Sequence, residues 1–363
     1  MDKCYNISTK FHALGLESFS IEKRKAMAKT QSKIRNSIID KKCLLCQSDV
    51  DSLCNSHFIP EFILKKIDDN GMLLQSSSVV DLPEQFVDLK KSVGVATAGT
   101  FMLICRECDK QIFMDYENPE NYDKIPNQKM LLQLALKNYL KYFSKRKIES
   151  KTSELCYKKA LELGFERSIL DYYMHKKKGE LLDIVEYKKM ITKLYGKLKK
   201  NKNDIFDLFY FKRLNYVVPL ASQTQIVLIG GLNNEIINNV YNYSSRYHLK
   251  ELHLFIFPME TYSVVGMFYN VEDKRYKNFI FGFNKLSEED KLQTVNYILL
   301  RYSEDYFLSP RIDNDIKDKI KDIVDKGAEI KKSDKMIQNA LIDHSLNNRF
   351  NIPNLLDKKY AIG

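Results

Sequence analysis

The chain has no tryptophan, and only 13 glycines and 8 prolines stand among its 363 residues. Collagen-like and linker-rich classes are thereby excluded. No apolar run approaches the ~18 residues needed to cross a bilayer, which argues against an integral membrane protein. The first residues, MDKCYNISTKFHALG, lack an apolar core followed by a cleavage site, so no secretory signal is expected and a cytoplasmic location is. There is no repeat of 20 to 50 residues and no low-complexity tract. What is present is a 44% apolar, 29% charged composition, which describes a folded chain rather than a disordered one. The length suggests about two domains, each large enough to bury a core.

The formal net charge of +11 is unevenly spread. Residues 1–42 hold ten basic and four acidic side chains, residues 43–125 seven and fourteen, and residues 126–202 twenty and eight. The remainder is balanced at 21 each. Two basic flanks thus bracket an acidic segment, and a basic flank can release counterions from a nucleic-acid backbone. The alternative is a solvated lysine-rich helix surface, which needs no partner. Residues 18–40 read as a basic helix that Ser18 or Ser20 caps, with Lys23, Arg24, Lys25, Lys29, Lys33 and Arg35 along it. Such an arm either follows a phosphate backbone or docks through Ile21, Met27 and Ile34.

Seven cysteines, an odd number, give poor evidence for a disulfide framework. Four of them form two CxxC pairs, Cys43 with Cys46 and Cys105 with Cys108. This spacing lets two thiolates of one knuckle reach one tetrahedral ion, and two knuckles complete a Cys4 zinc site with no open position for chemistry. Buried thiols, or a redox pair, are the competing readings. Cys54 is the main competitor for a ligand position, whereas Cys4 and Cys156 have no partner at useful spacing.

Between the knuckles stands His57, in the run Cys54-Asn-Ser-His57-Phe-Ile-Pro60. The apolar pair and proline read as a strand end that presents the imidazole at a fixed angle. CLLC, SHFIP and LICRECD together resemble the HNH endonuclease family, in the subclass whose Cys4 zinc knuckle staples a ββα-metal fold. The resemblance covers roughly residues 41–120. It implies a treble-clef-like ββα zinc module in which His57 is the general base, an imidazole with pKa near ~6.5 that takes a proton from water. It also implies a Mg²⁺ or Mn²⁺ ion that stabilises the leaving oxygen. Asp109, directly after Cys108, matches the family's asparagine and can ligate that cation or orient His57. Ser56 stands where the family has an acidic metal ligand, and Ile112 and Phe113 where a histidine or lysine is usual. Glu117 and Glu107 are the nearby carboxylates that can substitute. The other reading of His57 is a histidine that packs or caps within the knuckle.

Further along, NQKMLLQLALKNYLKYF (127–143) predicts an amphipathic helix, SKRKIESK (144–151) a basic break, and two more helices cover about 153–163 and 166–200, with Gly164 ending the first. The candidate nucleic-acid contacts are Lys145, Arg146, Lys147, Lys176, Lys177 and Lys178, together with Lys23, Arg24 and Lys25. Tyr172, Tyr173, Tyr187 and Tyr195 either stack on bases or, more often for such residues, pack. From residue 203 the period changes. Residues 224–230, 252–257, 262–269 and 276–283 read as strands, 232–247 as a helix, and Ser287 with Asp290 as the cap of a helix at 288–302. His248 and His253 read as structural. Two polar helices are expected within 311–346, and a loosely held tail from Asn347.

The whole is expected to be α+β: a basic arm (1–40), an HNH-like zinc module (41–125), a basic helical segment (126–202), an α+β domain with a mainly antiparallel sheet (203–310) and a helical extension (311–363). The functional expectation is a metal-dependent nuclease acting on DNA in preference to RNA, in prokaryotic defence against mobile DNA, with no membrane partner. The alternative is a non-catalytic zinc module that binds nucleic acid or protein, with residues 203–310 assembling copies or contacting a protein or ligand.

Overall fold

A computed structural model describes residues 41–78, 87–201, 204–242, 246–325 and 336–362, with Ala26 and Ser244. The basic arm, with Lys23, Arg24 and Lys25, lies outside the described residues apart from Ala26, and Cys4 lies outside them too. The fold is mixed α/β, with eight α-helices among the described residues and antiparallel sheets.

A short strand β1 (Ser56–His57) leads through Pro60 into helix α1 (Glu61–Ile67). A hairpin of β2 (Met72–Ser78) and β3 (Val87–Gly94) follows, then β4 (Thr100–Phe101), which pairs with β1, and helix α2 (Arg106–Phe113). Two long helices, α3 (Gln128–Glu162) and α4 (Arg167–Lys199), form an antiparallel pair. Strands β5 (Phe206–Leu214), β6 (Leu220–Ile226), β7 (Leu252–Pro258) and β8 (Ser263–Asn270) come next. Helices α5 (Lys277–Asn284) and α6 (Glu288–Tyr302), strand β9 (Tyr306–Leu308), and helices α7 (Asn314–Asp325) and α8 (Met336–Asp343) close the chain.

Seven strands build one sheet in the order β3-β2-β9-β6-β7-β8-β5, every neighbouring pair antiparallel. This joins segments expected to stand apart. Leu74 of β2 pairs with Leu308 of β9, so residues 72–94 of the zinc-module segment extend the sheet of residues 206–308. The hairpin is polar: β2, MLLQSSS, does not alternate, and β3, VDLKKSVG, alternates with Lys91 breaking its apolar side, so its place in the sheet was not legible.

Strands β7 and β8 are buried on both faces and read as near-continuous apolar runs, whereas β6 between β9 and β7 is equally buried but carries Ser222, Gln223, Thr224 and Gln225. Ala221, Phe255, Phe257, Val264 and Phe268 join a core with α1, α2, α3 and the cysteine knuckles. Leu220, Leu254, Ile256, Val265 and Met267 join a second core with α5, α6 and the C-terminal segment. Odd and even positions of a strand thus serve opposite layers, as the period of two requires.

Several expectations change. The basic run 144–151 does not break the helix, because it holds no glycine or proline and its lysine, arginine and glutamate are good helix formers. Gly164 ends α3 as expected: at φ +64°, it lets the Phe165 amide reach the Ala160 carbonyl at 3.0 Å. Residues 276–283, expected as a strand, are mostly α5: Tyr276, Phe279 and Phe283 share a buried face at helical spacing while Phe281 is exposed. No helix forms among the described residues of 232–247. There Asn238 holds an irregular loop, its Nδ2 donating to the Leu228 and Lys250 carbonyls, which is the competition that asparagine offers to helical bonding. The C-terminal tail is packed rather than loose: Leu355 and Leu356 are fully buried, and Asn296 donates to the Pro353 carbonyl at 2.9 Å. The cap at Ser287 forms, its hydroxyl accepting from the Asp290 amide at 3.1 Å.

Candidate metal centre and the buried ion cluster beside it

The first knuckle is a tight turn. The Cys43 amide donates to Ser48 O (3.0 Å), and Gln47 stands at φ +63° with its amide on Cys43 O (2.9 Å). The second knuckle opens α2, where Cys105 is the N-cap and its Sγ accepts from the Cys108 amide at 3.5 Å. A backbone bond from Leu44 N to Leu103 O (2.9 Å) ties the two together, and Cys43 Sγ accepts from the Cys105 amide at 3.3 Å. The sulfurs of Cys43, Cys46, Cys105 and Cys108 all lie within 4.8 Å of one another, with Cys46 and Cys105 3.9 Å apart. Sulfurs about 2.3 Å from a tetrahedral zinc are about 3.8 Å from each other, so the donor set fits a metal ion of that kind. Burial raises the Cys43 and Cys108 thiols, whereas hydrogen bonds from Ser48 lower exposed Cys46 to about 6. Cys54 stands outside the four: its amide bonds Ile104 O, and burial pushes its thiol up to about 12. Cys156 is buried between α3 and α4.

His57 lies one residue beyond the strand position that faces this module. Ser56 pairs with Phe101 and His57 with Thr100, and neighbouring strand residues point to opposite faces. Buried Ser56 donates its hydroxyl to Asp109 Oδ1 at 2.7 Å, whereas half-buried His57 sets Nε2 3.0 Å from the Val95 carbonyl oxygen. A carbonyl only accepts, so Nε2 is the donor and Nδ1 keeps the lone pair. Gly99 supports this arrangement: at φ +62°, it leaves room for the Phe58 ring, which a Cβ would meet at 2.2 Å. No hydrogen bond joins His57 to Asp109.

The partner of Asp109 is Lys137, from the middle of α3. Its ammonium is 0% exposed and donates to Asp109 Oδ1 (2.6 Å) and Glu117 Oε1 (3.0 Å), 4.0 Å above the Phe113 ring. Burial raises the Glu117 carboxyl above its usual range, and the ammonium opposes that. Asp109 and Glu117 are therefore both engaged by a cation tethered to α3. Sequence reasoning did not find Lys137. The available signal was a lone cation inside the apolar run KMLLQLALKNYL, which in a buried helix demands a carboxylate. A second such pair, Lys141 with Asp305, sits one turn on, its ammonium 3.5 Å from the Phe58 ring centre and drawn down by burial to about 8.

The expected backbone contacts divide. Arg146 is 6% exposed and its guanidinium pairs with Asp183 (3.0 Å) and Glu149, which leaves it no face for a phosphate. Lys145 pairs with Glu304 (3.5 Å) and Lys177 with Glu154 (3.3 Å). Lys147 leans on Phe143, Lys176 on Tyr172, and Lys178 is exposed. Tyr173 and Tyr187 are buried packing residues. Tyr195 stands beside the cysteines: burial raises its phenol, and the four sulfurs add to the shift. His248 bonds Glu186 at 2.9 Å, and His253 is buried against Phe268, held neutral down to about 3. No helix among the described residues is long and apolar enough to cross a membrane. Comparison of this chain with protein-family models, with curated proteins and with solved structures finds no match.

Proposed function

We propose that the chain is a zinc-stapled, nucleic-acid-binding protein that keeps the frame of an HNH-like ββα module and does not hydrolyse its partner. The observation that carries this reading is Lys137. Its buried ammonium sits on Asp109 Oδ1 and Glu117 Oε1 and offsets their negative charge, which disfavours a second, divalent cation at the same pair, since such an ion prefers several uncompensated anionic oxygens. Being 0% exposed, the same ammonium cannot reach a phosphate and replace the metal's action on the leaving group. Nδ1 of His57 retains the capacity to accept a proton, but a base without a Lewis acid is half of the hydrolytic pair. Zinc bound by Cys43, Cys46, Cys105 and Cys108 would be structural: four thiolates fill its tetrahedron and join the two knuckles. The excess of lysine supports a polyanionic partner.

The test pairs metal analysis with cleavage. Purified protein should contain about one zinc per chain, lost with folding on chelation. Plasmid and RNA incubated with Mg²⁺ or Mn²⁺ should stay intact, beside a His57→Ala control. Cleavage that requires His57 would overturn the reading in favour of the nuclease.

A further inference from the structure

We infer that double-stranded DNA docks on the C-terminal half of α4, beside the cysteine cluster, rather than on Lys145, Arg146 and Lys177 further along the α3–α4 pair. The inference rests on the nucleic-acid-binding reading above and gives it an address. Between Glu186 and Asp204 the chain has no acidic residue. Among the described residues of that stretch, Lys188, Lys189, Lys193, Lys197, Lys199 and Lys200 follow one another, and only Lys193 has an ion-pair partner, Glu272 at 3.0 Å. Lys188, Lys189, Lys199 and Lys200 are exposed, and Lys197 is half-buried. The contrast with Lys145, Arg146 and Lys177 is direct, since those cations are already neutralised within the fold.

Position strengthens the case. Lys199 lies 5.1 Å from the Tyr195 ring centre, and Tyr195 stands beside Cys43, Cys46, Cys105 and Cys108. Arg106 and Lys110, on the helix that carries Cys108, are exposed, make no ion pair among the described residues and add two cations to this end of the molecule. From Lys188 to Lys200 the helix advances about 18 Å, a length of duplex that carries about ten phosphates. The strip offers ammonium groups and little else. Its exposed hydroxyl, Thr192, donates back to the Lys188 carbonyl at 2.9 Å, so its proton is not available to a ribose 2′-hydroxyl. Tyr195 is half-buried, so no exposed ring provides the stacking platform that single strands require. A rigid cationic rod of this kind matches the backbone of DNA and reads no sequence.

The experiment is fluorescence anisotropy with a labelled DNA duplex of about 20 base pairs across a salt series, with a single strand and an RNA duplex of the same sequence as further arms. Neutralising five phosphates gives a slope of log K against log salt near −4.5. The triple variant Lys188→Ala/Lys197→Ala/Lys200→Ala should weaken binding at low salt by about tenfold or more and flatten that slope by about 2.7. Its circular dichroism and zinc content should match the unmodified chain, because none of these side chains makes an ion pair among the described residues. A control, Lys151→Ala/Lys158→Ala/Lys159→Ala, removes equal charge from residues paired with Glu154 and Glu162 and should change the slope little. Equal losses in both triples would overturn the docking site while leaving nucleic-acid binding intact. Tighter binding of the single strand or of RNA would overturn duplex DNA as the partner. No binding to any probe would defeat both the site and the reading beneath it. His57-dependent cleavage of the bound probe would defeat only the non-hydrolytic reading.

Discussion

Replacing Lys137 by methionine tests whether its ammonium is the internal counter-ion of Asp109 and Glu117. Methionine keeps most of the apolar stem and removes the charge. Removing one member of a fully buried ion pair costs about 3–5 kcal/mol, chiefly because the other member is left uncompensated. Here the carboxylate side chains are 23% and 31% exposed, so water relieves part of that cost. The contact with the Phe113 ring contributes about 0.5–1 kcal/mol more. The expected loss is about 3 kcal/mol, read by urea unfolding with far-ultraviolet circular dichroism, since the chain has no tryptophan to report. Acid should shrink the deficit. Burial already raises the Glu117 carboxyl above its unfolded value near ~4, and losing the ammonium that opposes this raises it further, so the fold binds that proton more tightly. The penalty is then full above the folded pKa and vanishes below the unfolded one. The variant Lys137→Met/Asp109→Asn/Glu117→Gln should recover more than half of the loss. Stripped of its cation, the pair of carboxylates in Lys137→Met should also accept Mn²⁺, which should stabilise that variant and leave the unmodified chain unchanged. A Lys137→Met deficit no larger than that of exposed Lys110→Met, or one that persists undiminished at low pH, would refute the argument.

Other outcomes follow from the same geometry. Arg146→Ala should destabilise by about 3 kcal/mol, because Asp183 and Glu149 lose a buried partner, whereas Lys158→Ala on the helix surface should cost under about 0.5 kcal/mol in the same unfolding assay. His253 and His344 are both held near 3 by burial, below the unfolded value of about 6.5. Their neutral forms favour the fold, so stability should fall as pH drops from about 6.5 toward 3, by about 1.4 kcal/mol per pH unit for each. His253→Gln should halve the histidine share of that slope; an unchanged slope counts against the burial argument. Gly99→Ala should destabilise by more than about 1 kcal/mol, since it combines a left-handed backbone with a Cβ driven into the Phe58 ring.

The knuckles were legible because their chemistry is local: two CxxC spacings suffice to gather four sulfurs at one point. Helix α4, the two ends of α3, strands β7 and β8 and the Ser287 cap were legible because period and capping are also local signals, whereas the continuity of α3 through residues 144–151 was not. The hidden parts depend on distant partners. Residues 276–283 carry aromatic residues that suit either a strand or a helix, and only the packing of Tyr276, Phe279 and Phe283 decides. The polar hairpin β2–β3 becomes sheet because β9 offers an edge to β2. Lys137 looked like an interruption of an apolar stripe until Asp109 and Glu117, from two other segments, were set around it. Likewise the charge of residues 126–202 could be counted but not assigned, because pairing with Glu154, Asp183 and Glu304 silences one half of it and leaves the end of α4 bare.

The pairing of Leu74 with Leu308 has a consequence for the order of events during synthesis. The four cysteines are all translated by residue 108, so the knuckles can close on a metal while most of the chain is still unmade. The β2–β3 hairpin cannot join β9 until roughly 200 residues beyond the last of these cysteines have emerged, on the order of 10–40 s at ribosomal rates of ~5–20 residues per second. During that interval the nascent chain displays an open strand edge next to a finished metal knuckle. A stall or truncation before residue 306 would leave that edge permanently unmatched, so shortened products should aggregate rather than survive as a free-standing zinc module.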